Sequence, residues 1–405
     1  MTTPDYDPLD PEVLEDPYPF YAELRAGAPV YRVPAHGFWV VSRYQDVVGV
    51  LRRPQLFSSA AMAAAVVRPS EFTPDDDTQP AADPEEDVAI VGADGPRHAR
   101  LRDVVNRGFT PSRIRALAPR VEAIAQQLAE PLLAAGECDL VADFAVPLPV
   151  LVIAELLGID AERRDDFKRW SDAAMSGVFD PLEMVEAERV GAALEEMKTY
   201  IATVIDARRR QPGPDLISTL VRAEDDQGVL TPAEVRNFVF TLLVAGSVTT
   251  THLISNLALA LLQRPDQLAR VAADPALAGS AVEEALRHNS PVQMLWRTPT
   301  EDVEVAGTRI PQGATVAPLF GSANRDETVF AEPDRFDVER RPKEHLAFGQ
   351  GVHFCLGAAL ARLEARIALE SLLLRGSLVL AEGCLEWPAS LIFRGPRRLR
   401  LARSG

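Results

Sequence analysis

One cysteine lies in a loop whose glycines could prepare its sulfur for chemistry. Residues 345–365 read HLAFGQGVHFCLGAALARLEA, in which Cys355 follows Gly349 and Gly351 and precedes Gly357 and an amphipathic helical pattern. Glycines let the backbone approach closely, and a helix N-terminus with nearby backbone N–H groups favours a thiolate. A thiolate held in this way suits a soft metal or a haem iron as an axial ligand. A buried structural cysteine is the alternative, and the glycine spacing does not match a dinucleotide-binding loop.

A second group of polar residues lies in the longest uncharged stretch of the chain. No Asp, Glu, Lys or Arg occurs between Arg236 and Arg264, yet residues 245–252 read AGSVTTTH. Gly246 inside a helix costs about 1 kcal/mol relative to alanine. Serine and threonine hydroxyls can bond the carbonyl four residues earlier and bend the helix. We therefore expect a local distortion with hydroxyls available for chemistry, the alternative being buried hydroxyls that only bond their own backbone.

Helical patterns dominate the elements that must position these residues. Apolar residues recur at three- and four-residue spacing in residues 19–27, 44–53, 116–136, 147–159, 183–210 and 355–376. Thr231, Pro232 and Glu234 form a capping box that begins a helix running to Gln263. At ~1.5 Å per residue this helix is about 50 Å long, and because it is apolar nearly all round we expect it to be central and buried.

Strand patterns are short and few, at residues 29–33, 37–42, 303–311 and 314–320. The predicted fold class is therefore mainly α with small β-sheets. No Ser/Gly-rich linker or internal repeat divides the chain, so we expect one domain over residues 1–405.

Charge and composition exclude several classes of protein. The formal net charge of −17 makes nucleic acid and anionic membrane surfaces poor partners. Residues 237–263 are long enough to span a membrane, but Asn237, Asn256 and Gln263 interrupt them and no aromatic or basic anchors flank them. The N-terminus has no signal-peptide pattern, and three scattered cysteines suit neither a disulfide framework nor a zinc site. We expect a cytoplasmic protein without a membrane span.

The cysteine loop resembles a known family signature. Its pattern Phe348-Gly349-x-Gly351-x-His353-x-Cys355-x-Gly357 resembles the haem-binding signature of the cytochrome P450 family, and the resemblance covers essentially the whole chain. It implies the cytochrome P450 fold, with the long central helix lying over haem b. It also implies that Cys355 is the iron ligand and that its loop contacts the cofactor through Phe348, Gly349 and Gly357.

A charged pair fits the same resemblance. Glu284 and Arg287 in EALR lie three residues apart on one helix face, where an exposed ion pair would contribute little. In the family this pair is structural and meets an arginine from a later loop. The segment ANRDETVFAEPDRFD resembles that loop, which assigns the third position to Arg335.

Four basic residues match positions that contact haem in the family. His98 and Arg102 in DGPRHARLR lie four apart on a helix that Pro96 could start, so they face one way. The resemblance makes them a pair that binds a haem propionate, since a buried carboxylate needs charged partners. Arg297 matches another propionate ligand, and His353 is similarly placed. A solvated basic face is the alternative.

AGSVTT matches the oxygen-activation segment of the family. The resemblance assigns catalytic positions to Ala245, Gly246, Ser247 and Thr249, with Thr249 donating a hydrogen bond to dioxygen. Val248 stands where the family usually has Asp or Glu, and valine cannot relay protons. Protons must then come through Ser247, His252, ordered water or the substrate. Alternatively, the enzyme uses peroxide, or it couples or desaturates its substrate.

The family topology also implies a substrate pocket over the iron. The candidates, mostly apolar as pocket residues usually are, are Met62, Val66, Val67, Ala245, Val248, Val292, Gln293, Met294, Leu295, Leu391, Ile392 and Phe393. Gln293 could supply one polar anchor. Each residue taken alone is as readily part of the core. Together they imply a medium-sized, mostly apolar organic substrate.

The implied function is that of a soluble, actinobacterial-type monooxygenase. It would insert one oxygen atom from O2 into such a substrate in natural-product biosynthesis or catabolism. No flavin or iron–sulfur domain follows Cys355, so electrons would come from a separate ferredoxin and ferredoxin reductase. A basic group near the cysteine loop could dock an acidic ferredoxin, namely Arg340, Arg341, Lys343 and Arg362. The alternative interpretation of this basic group is an ordinary solvated surface. The alternative function for the whole protein is a haem sensor or binder without enzymatic activity.

Overall fold

The structure is a computed structural model that describes most of the chain. The described residues are 5–62, 90–159, 163, 166, 167, 169, 170, 173, 184–225, 230–376, 378–388 and 390–403. Val66 and Val67, two of the predicted pocket residues, lie outside them.

Helices dominate the described chain, as the sequence predicts. They are α1 (Pro11–Glu15), α2 (Tyr18–Gly27), α3 (Tyr44–Leu51), α4 (Gly95–Asn106), α5 (Pro111–Ala134), α6 (Pro147–Leu157), α7 (Met184–Arg210), α8 (Leu216–Asp225), α9 (Pro232–Leu262), α10 (Pro265–Ala273), α11 (Ala278–His288), α12 (Phe320–Ala323) and α13 (Ala358–Ala368). Proline in the first turn begins several of them, including α4 with Pro96.

Helix α9 is the long helix that the capping box predicts. Thr231 Oγ1 accepts from the Glu234 N–H, while the Glu234 carboxylate accepts from the Thr231 N–H. The helix contacts α6, α7, α8, α10, α11 and α13, so it is central, as predicted. Among the described helices it alone is long and apolar enough to cross a membrane, but 67% of its apolar window is buried inside the fold. A core helix of a soluble protein has the same properties.

The sheets are small and lie beside the helical core. The strands are β1 (Val30–Arg32), β2 (Trp39–Val41), β3 (Phe57–Ser58), β4 (Glu137–Asp139), β5 (Thr298–Pro299), β6 (Val303–Val305), β7 (Thr308–Ile310), β8 (Val316–Pro318), β9 (Leu378–Glu386) and β10 (Arg398–Arg403). One sheet has the order β1-β2-β8, with β2 and β8 parallel, and another the order β4-β10-β9. The pairs β3-β5 and β6-β7 are antiparallel. The predicted fold class is confirmed.

Two parts of the fold differ from the sequence-based prediction. The β4-β10-β9 sheet was not predicted, because β9 reads LVLAEGCLE without a strict alternation of apolar and polar residues. The helix predicted for residues 355–376 begins only at Ala358 and passes into a π-helical segment, Leu369–Leu373. The residues before Ala358 instead form the loop that holds Cys355.

Candidate active site

Glycines shape the loop before Cys355. Gly349 and Gly351 have φ values of 68° and 77°, in the left-handed region that favours glycine. A Cβ at Gly351 would lie 2.6 Å from the carbonyl oxygen of Leu51. The Cys355 N–H donates to the Phe348 carbonyl at 2.9 Å, which closes the loop. The sequence-based account of the loop is therefore correct in its geometry.

The sulfur of Cys355 lies deep in the fold but faces open space. The residue is exposed, yet burial raises the pKa of its thiol. Both observations hold for a side chain that projects into an internal opening. Backbone N–H groups of Gly357 and Ala358, together with the charges of Arg102 and Arg362, lower this pKa but do not outweigh burial. The backbone N–H groups act on the sulfur in the predicted direction, and a bound metal cation would favour the thiolate further.

Four basic side chains gather around this opening. The rings of His98 and His353 lie 4.1 Å apart between centroids. Burial, together with the nearby His98, Arg297 and Arg102, lowers the pKa of His353 to about 3. Three elements bring the four residues together: α4 carries His98 and Arg102, the cysteine loop carries His353, and the segment before β5 carries Arg297. The predicted grouping of these four residues agrees with the structure.

Neither arginine of this cluster has a carboxylate at salt-bridge distance within the described part of the chain. One acid, Asp94, lies 3.9 Å from Nε2 of His353, and its charge raises the pKa of Arg297 without offsetting burial. Arg297 is only 5% exposed and its guanidinium donates to the Trp296 carbonyl. Burial lowers its pKa to about 10. Arg102 donates to the Phe354 carbonyl, and neither arginine forms a salt bridge with a described acid. Nε2 of His98 is buried and lacks a hydrogen-bond partner among the described residues.

These features fit a flat cofactor that carries carboxylates. A buried guanidinium is stable only with a charged or hydrogen-bonding partner, and a haem propionate would provide one. A Cβ built on Gly349 or Gly357 meets no atom within 4 Å, so the loop leaves room beside the sulfur. The residues present therefore fit haem with a thiolate ligand.

Asp94 and Ser59 belong to this site, although the sequence analysis did not find them. The Asp94 carboxylate accepts from the Ser59 N–H at 3.0 Å, and Ser59 Oγ lies 3.0 Å from His353 Nε2. They fix the ring of His353 beside the basic cluster. The sequence does mark Asp94 as a possible N-cap, since it lies two residues before Pro96 at the start of α4. It gives no reason, however, to connect a helix N-cap with His353.

One face of α9 is open in the middle of the molecule. Ala245 is exposed and Thr249 is half-buried, whereas Ser247 and Val248 are each only 2% exposed. The hydroxyls of Ser247 and Thr249 donate to the carbonyls of Leu243 and Ala245, at 2.6 and 2.9 Å. The predicted back-bonding is present, and the helix assignment runs through these residues without a break. Thr249 is thus the hydroxyl residue of AGSVTT at the open face.

Gly246 has a packing role that was not predicted. A Cβ at this position would lie 2.8 Å from Cδ1 of Ile153 on α6. The glycine therefore lets α6 and α9 approach each other, which is a sufficient reason for its presence.

His252 is poorly suited to relay protons. Burial lowers the pKa of its side chain to about 3, so the ring is neutral at ordinary pH. The ring packs against Gly395, where a Cβ would overlap it, and is tilted against Phe393. Of the proton routes considered, Ser247 and His252 are both buried, and ordered water and the substrate remain.

The described pocket candidates form two adjoining segments, residues 292–295 and 391–393, together with Met62 and with Ala245 and Val248 on α9. Val292 and Phe393 form an isolated bridge, and the Gln293 N–H donates to the Ile392 carbonyl at 2.7 Å. Sulfur of Met62 accepts from the Trp296 N–H. These contacts bring together Met62, Val292, Gln293, Met294, Leu295, Leu391, Ile392 and Phe393. Met62, Met294 and Val248 are buried and the remaining apolar members of the two segments are half-buried.

Gln293, predicted as a polar anchor for the substrate, has its amide engaged with the backbone in this structure. Its Nε2 donates to the Ser290 carbonyl at 2.7 Å, and its side-chain oxygen lies where a Cβ of Gly321 would be. The residue is 3% exposed. The amide N–H group therefore braces the turn that follows α11, while its oxygen has no hydrogen-bond partner among the described residues.

The Glu284–Arg287 pair is present, but its third member is Arg340 and not Arg335. Glu284 and Arg287 are both 0% exposed and form two hydrogen bonds of 2.8 Å. Nε of Arg340 donates to Glu284 Oε1 at 3.1 Å. The side chain of Arg335 is 54% exposed and pairs with Glu332 and Asp337, and only its backbone carbonyl accepts from Arg287.

The proposed basic docking group is smaller than predicted. Arg340 belongs to the Glu284 network, and Arg362 forms two hydrogen bonds with Glu283. Arg341 and Lys343 remain exposed beside the cysteine loop. An electrostatic docking site there would depend mainly on these two residues.

Comparison with known proteins agrees with a haem-thiolate enzyme. The family model described as cytochrome P450 matches residues 276–387. The 6-deoxyerythronolide B hydroxylase of Saccharopolyspora erythraea is 39% identical over 401 residues, which cover 96% of each chain. The structure of cytochrome P450 CYP109Q5 from Chondromyces apiculatus has a TM-score of 0.88 and 41% identity, covering 99% of this chain and 98% of that one. Myxobacterial CYP267B1, solved in complex with myristic acid, has a TM-score of 0.86 and 38% identity, covering 98% and 99%.

The fold and the site thus define a haem-thiolate oxidoreductase. The chain belongs to the cytochrome P450 family, and its similarity to named monooxygenases and hydroxylases covers nearly its full length. It is a cytochrome P450 monooxygenase of bacterial type with haem as its cofactor.

Proposed function

We propose that this enzyme inserts one oxygen atom from O2 into a medium-sized, mostly apolar organic substrate. The observation that carries the proposal is the exposed Cys355 beside two arginines, the buried Arg297 and Arg102, neither of which forms a salt bridge with a described acid. When bound, haem supplies an iron that activates dioxygen.

The chain's own residues hold and orient that group. Cys355 provides the thiolate, and Phe348, Gly349 and Gly357 form the loop beneath it. Arg297 and Arg102 would pair with the propionates, because a buried cation gains most from an anion in the same low-dielectric site, and His98 would donate a hydrogen bond to them. His353, whose ring is held by Ser59, would be the fourth basic residue beside the propionates.

Thr249 is the hydroxyl that serves the open face of α9. Its Oγ1 now donates to the Ala245 carbonyl at 2.9 Å, so the oxygen is free to accept from water or substrate, and rotation of the hydroxyl lets it donate instead. Ala245 and Gly246 lie one turn earlier and add no side chain longer than a methyl group. Since Val248 cannot relay protons, protons arrive through water or a polar group of the substrate.

The proposed class of substrate follows from the residues that line the predicted pocket. Met294, Leu295, Leu391 and Ile392 are apolar, and with Gln293 turned away they leave the pocket with few polar anchors. The related hydroxylase is named for 6-deoxyerythronolide B, and CYP267B1 was solved with myristic acid. We therefore propose a natural product or fatty-acid-like compound, in biosynthesis or catabolism.

Electrons are proposed to come from a separate ferredoxin and its reductase. Arg341 and Lys343 are the exposed cations on which an acidic ferredoxin would dock. We propose that residues 1–405 form one domain, that the enzyme is cytoplasmic, and that it binds neither nucleic acid nor a membrane. Rising salt should slow electron transfer if docking is electrostatic, and an unchanged rate would contradict the docking site.

A second function within the same fold is oxidative coupling, desaturation or peroxide-driven oxidation. Val248, which replaces the usual acid and is 2% exposed, is the observation that favours it. A product 16 mass units heavier than the substrate supports oxygen insertion, and a loss of two hydrogens supports desaturation or coupling. Turnover with peroxide alone, at the rate seen with the electron partners, supports the peroxide route.

The test of the proposed function is a substrate titration. The ferric haem protein is mixed with natural products, fatty acids, terpenes and aromatics while the Soret band is followed. A shift from low to high spin identifies a compound that enters the pocket, and its product mass is then measured. No product from any shifting compound, with electrons supplied, would contradict a monooxygenase of free small molecules.

A further inference from the structure

A second charged network lies beside the cysteine loop, separate from the Glu284 network. The Glu283 carboxylate accepts from Nε and Nη2 of Arg362, at 2.6 and 2.9 Å. It also lies 3.0 Å from Nε2 of His345. Glu283 is on α11, Arg362 on α13 and His345 at the start of the cysteine loop, so one carboxylate joins three elements.

The proton on His345 is placed by its other nitrogen. The Ala347 N–H donates to Nδ1 of His345 at 3.3 Å, so Nδ1 is an acceptor and Nε2 carries the hydrogen that Glu283 receives. Glu283 and Arg362 carry opposite charges and bind each other directly.

Arg362 connects this pair with the sulfur. Its guanidinium lies over the ring of Phe348, 4.4 Å from the centroid, and the Phe348 carbonyl accepts from the Cys355 N–H. The guanidinium thus lies against the residue whose carbonyl binds the Cys355 backbone. Glu283 is 25% exposed and Arg362 37% exposed, so solvent screens neither charge completely.

We propose that Glu283 is a positioning residue that balances the charge of Arg362 beside the Cys355 thiolate, so that this pair tunes the reduction potential of the bound haem. The inference rests on the proposed role of Cys355 as the iron ligand. A cation near the thiolate stabilises the more negative, reduced centre, and the carboxylate opposes it. Arg362 thus has a role within the site besides any contact with an electron partner.

The sign of each change follows from Coulomb's law. Glu283→Gln removes the negative charge but keeps one oxygen that can accept from Arg362, and stacking on Phe348 also holds the guanidinium. The potential should therefore become more positive. Arg362→Gln removes the cation and should make the potential more negative, by a larger amount, because Arg362 is the member that contacts Phe348 of the cysteine loop. The double variant should lie between the two single variants.

The experiment is spectroelectrochemical titration of the haem-loaded proteins, with the Soret band of the reduced carbon monoxide complex recorded for each. Glu301→Gln and Arg309→Gln, at exposed positions elsewhere, remove the same charges and serve as matched controls. Opposite shifts for the two test variants, well beyond those of the controls, support the proposal. Shifts of the same sign, or shifts no larger than the controls give, overturn it.

The carbon monoxide spectrum separates this inference from the proposed function. A wild-type protein without the spectrum of a thiolate-ligated haem contradicts the proposed role of Cys355 itself. A wild-type protein with that spectrum, but without opposite shifts, contradicts only the charge pair. If Glu283→Gln does not fold, the sign of the Arg362→Gln shift alone still decides, since an unchanged or more positive potential overturns the proposal.

Discussion

Replacing Arg340 should cost far more stability than the same replacement of Arg335. Arg340 is 18% exposed on its side chain and donates to Glu284, which is 0% exposed. It also donates to the carbonyls of Ala331 and Glu332, at 2.7 and 3.1 Å, and so ties the loop after α12 to α11. Arg340→Gln removes this cation and most of these bonds.

The magnitude follows from burial. Breaking a buried ion pair by removing one partner costs about 3–5 kcal/mol. Because Arg287 still neutralises Glu284 in the variant, we expect roughly 2–3 kcal/mol, within the range of about 1.5–3 kcal/mol for a lost hydrogen bond to a charged group. The Arg335 pairs are largely exposed, so Arg335→Gln should cost about 0–1 kcal/mol.

The assay is urea unfolding of the two haem-loaded variants and the wild type, followed by tryptophan fluorescence and by the Soret band. The variants carry the same chemical change five positions apart, which makes each the control for the other. If Arg335→Gln is as destabilising as Arg340→Gln, or more so, the assignment of Arg340 as the third member of the network is refuted.

Three further results are expected. Gly246→Ala should be destabilising, because overpacking against Ile153 costs about 1–3 kcal/mol and exceeds the ~1 kcal/mol gain in helix propensity. Ile153→Val in the same chain should recover part of the loss. A Gly246→Ala variant that is more stable than wild type in urea unfolding would contradict the packing role. The pKa of His252 is lowered from 6.5 to about 3, so as pH falls the unfolded chain takes up the proton before the folded protein does. The free energy of unfolding should therefore decrease as pH drops from about 6.5 toward 3. His252→Gln should flatten that part of the stability curve, and an unchanged slope would argue against a buried neutral ring. Arg297→Met should release haem to a globin acceptor more readily, with affinity about 10- to 150-fold weaker if one charged hydrogen bond is lost, whereas Arg309→Met should behave as wild type.

The parts of the fold that local rules determine were predictable from sequence. Thr231 and Glu234 identified the start of α9 because a capping box needs only residues three apart. Hydrophobic periodicity then gave its length and its central position. The strands β9 and β10 were missed because their pairing is decided by partners far along the chain.

The site was predictable as far as residue types and spacing define it. The glycines around Cys355 and the i, i+4 pair of His98 and Arg102 required no knowledge of long-range contacts. Burial and side-chain direction did require it. Arg335 and Arg340 are both arginines of one loop, and only the path of the backbone decides which reaches Glu284.

The same limit applies to Gln293 and to Gly246. Sequence placed the glutamine next to apolar pocket candidates, but the amide turns toward Ser290 because the carbonyl there needs a donor. The glycine stood among residues suited to oxygen chemistry, but the close approach of Ile153 depends on how α6 crosses α9. Neither contact has a signal in a single sequence.

The central claim is that Cys355 holds the haem iron as a thiolate. The most direct measurement is the Soret band of the reduced carbon monoxide complex, recorded for the wild type, Cys355→Ser and the matched control Cys138→Ser. The wild type and Cys138→Ser should both give the band of a thiolate-ligated haem, and Cys355→Ser should lose it. A Cys355→Ser protein that keeps this band would show that another residue is the ligand and would contradict the account.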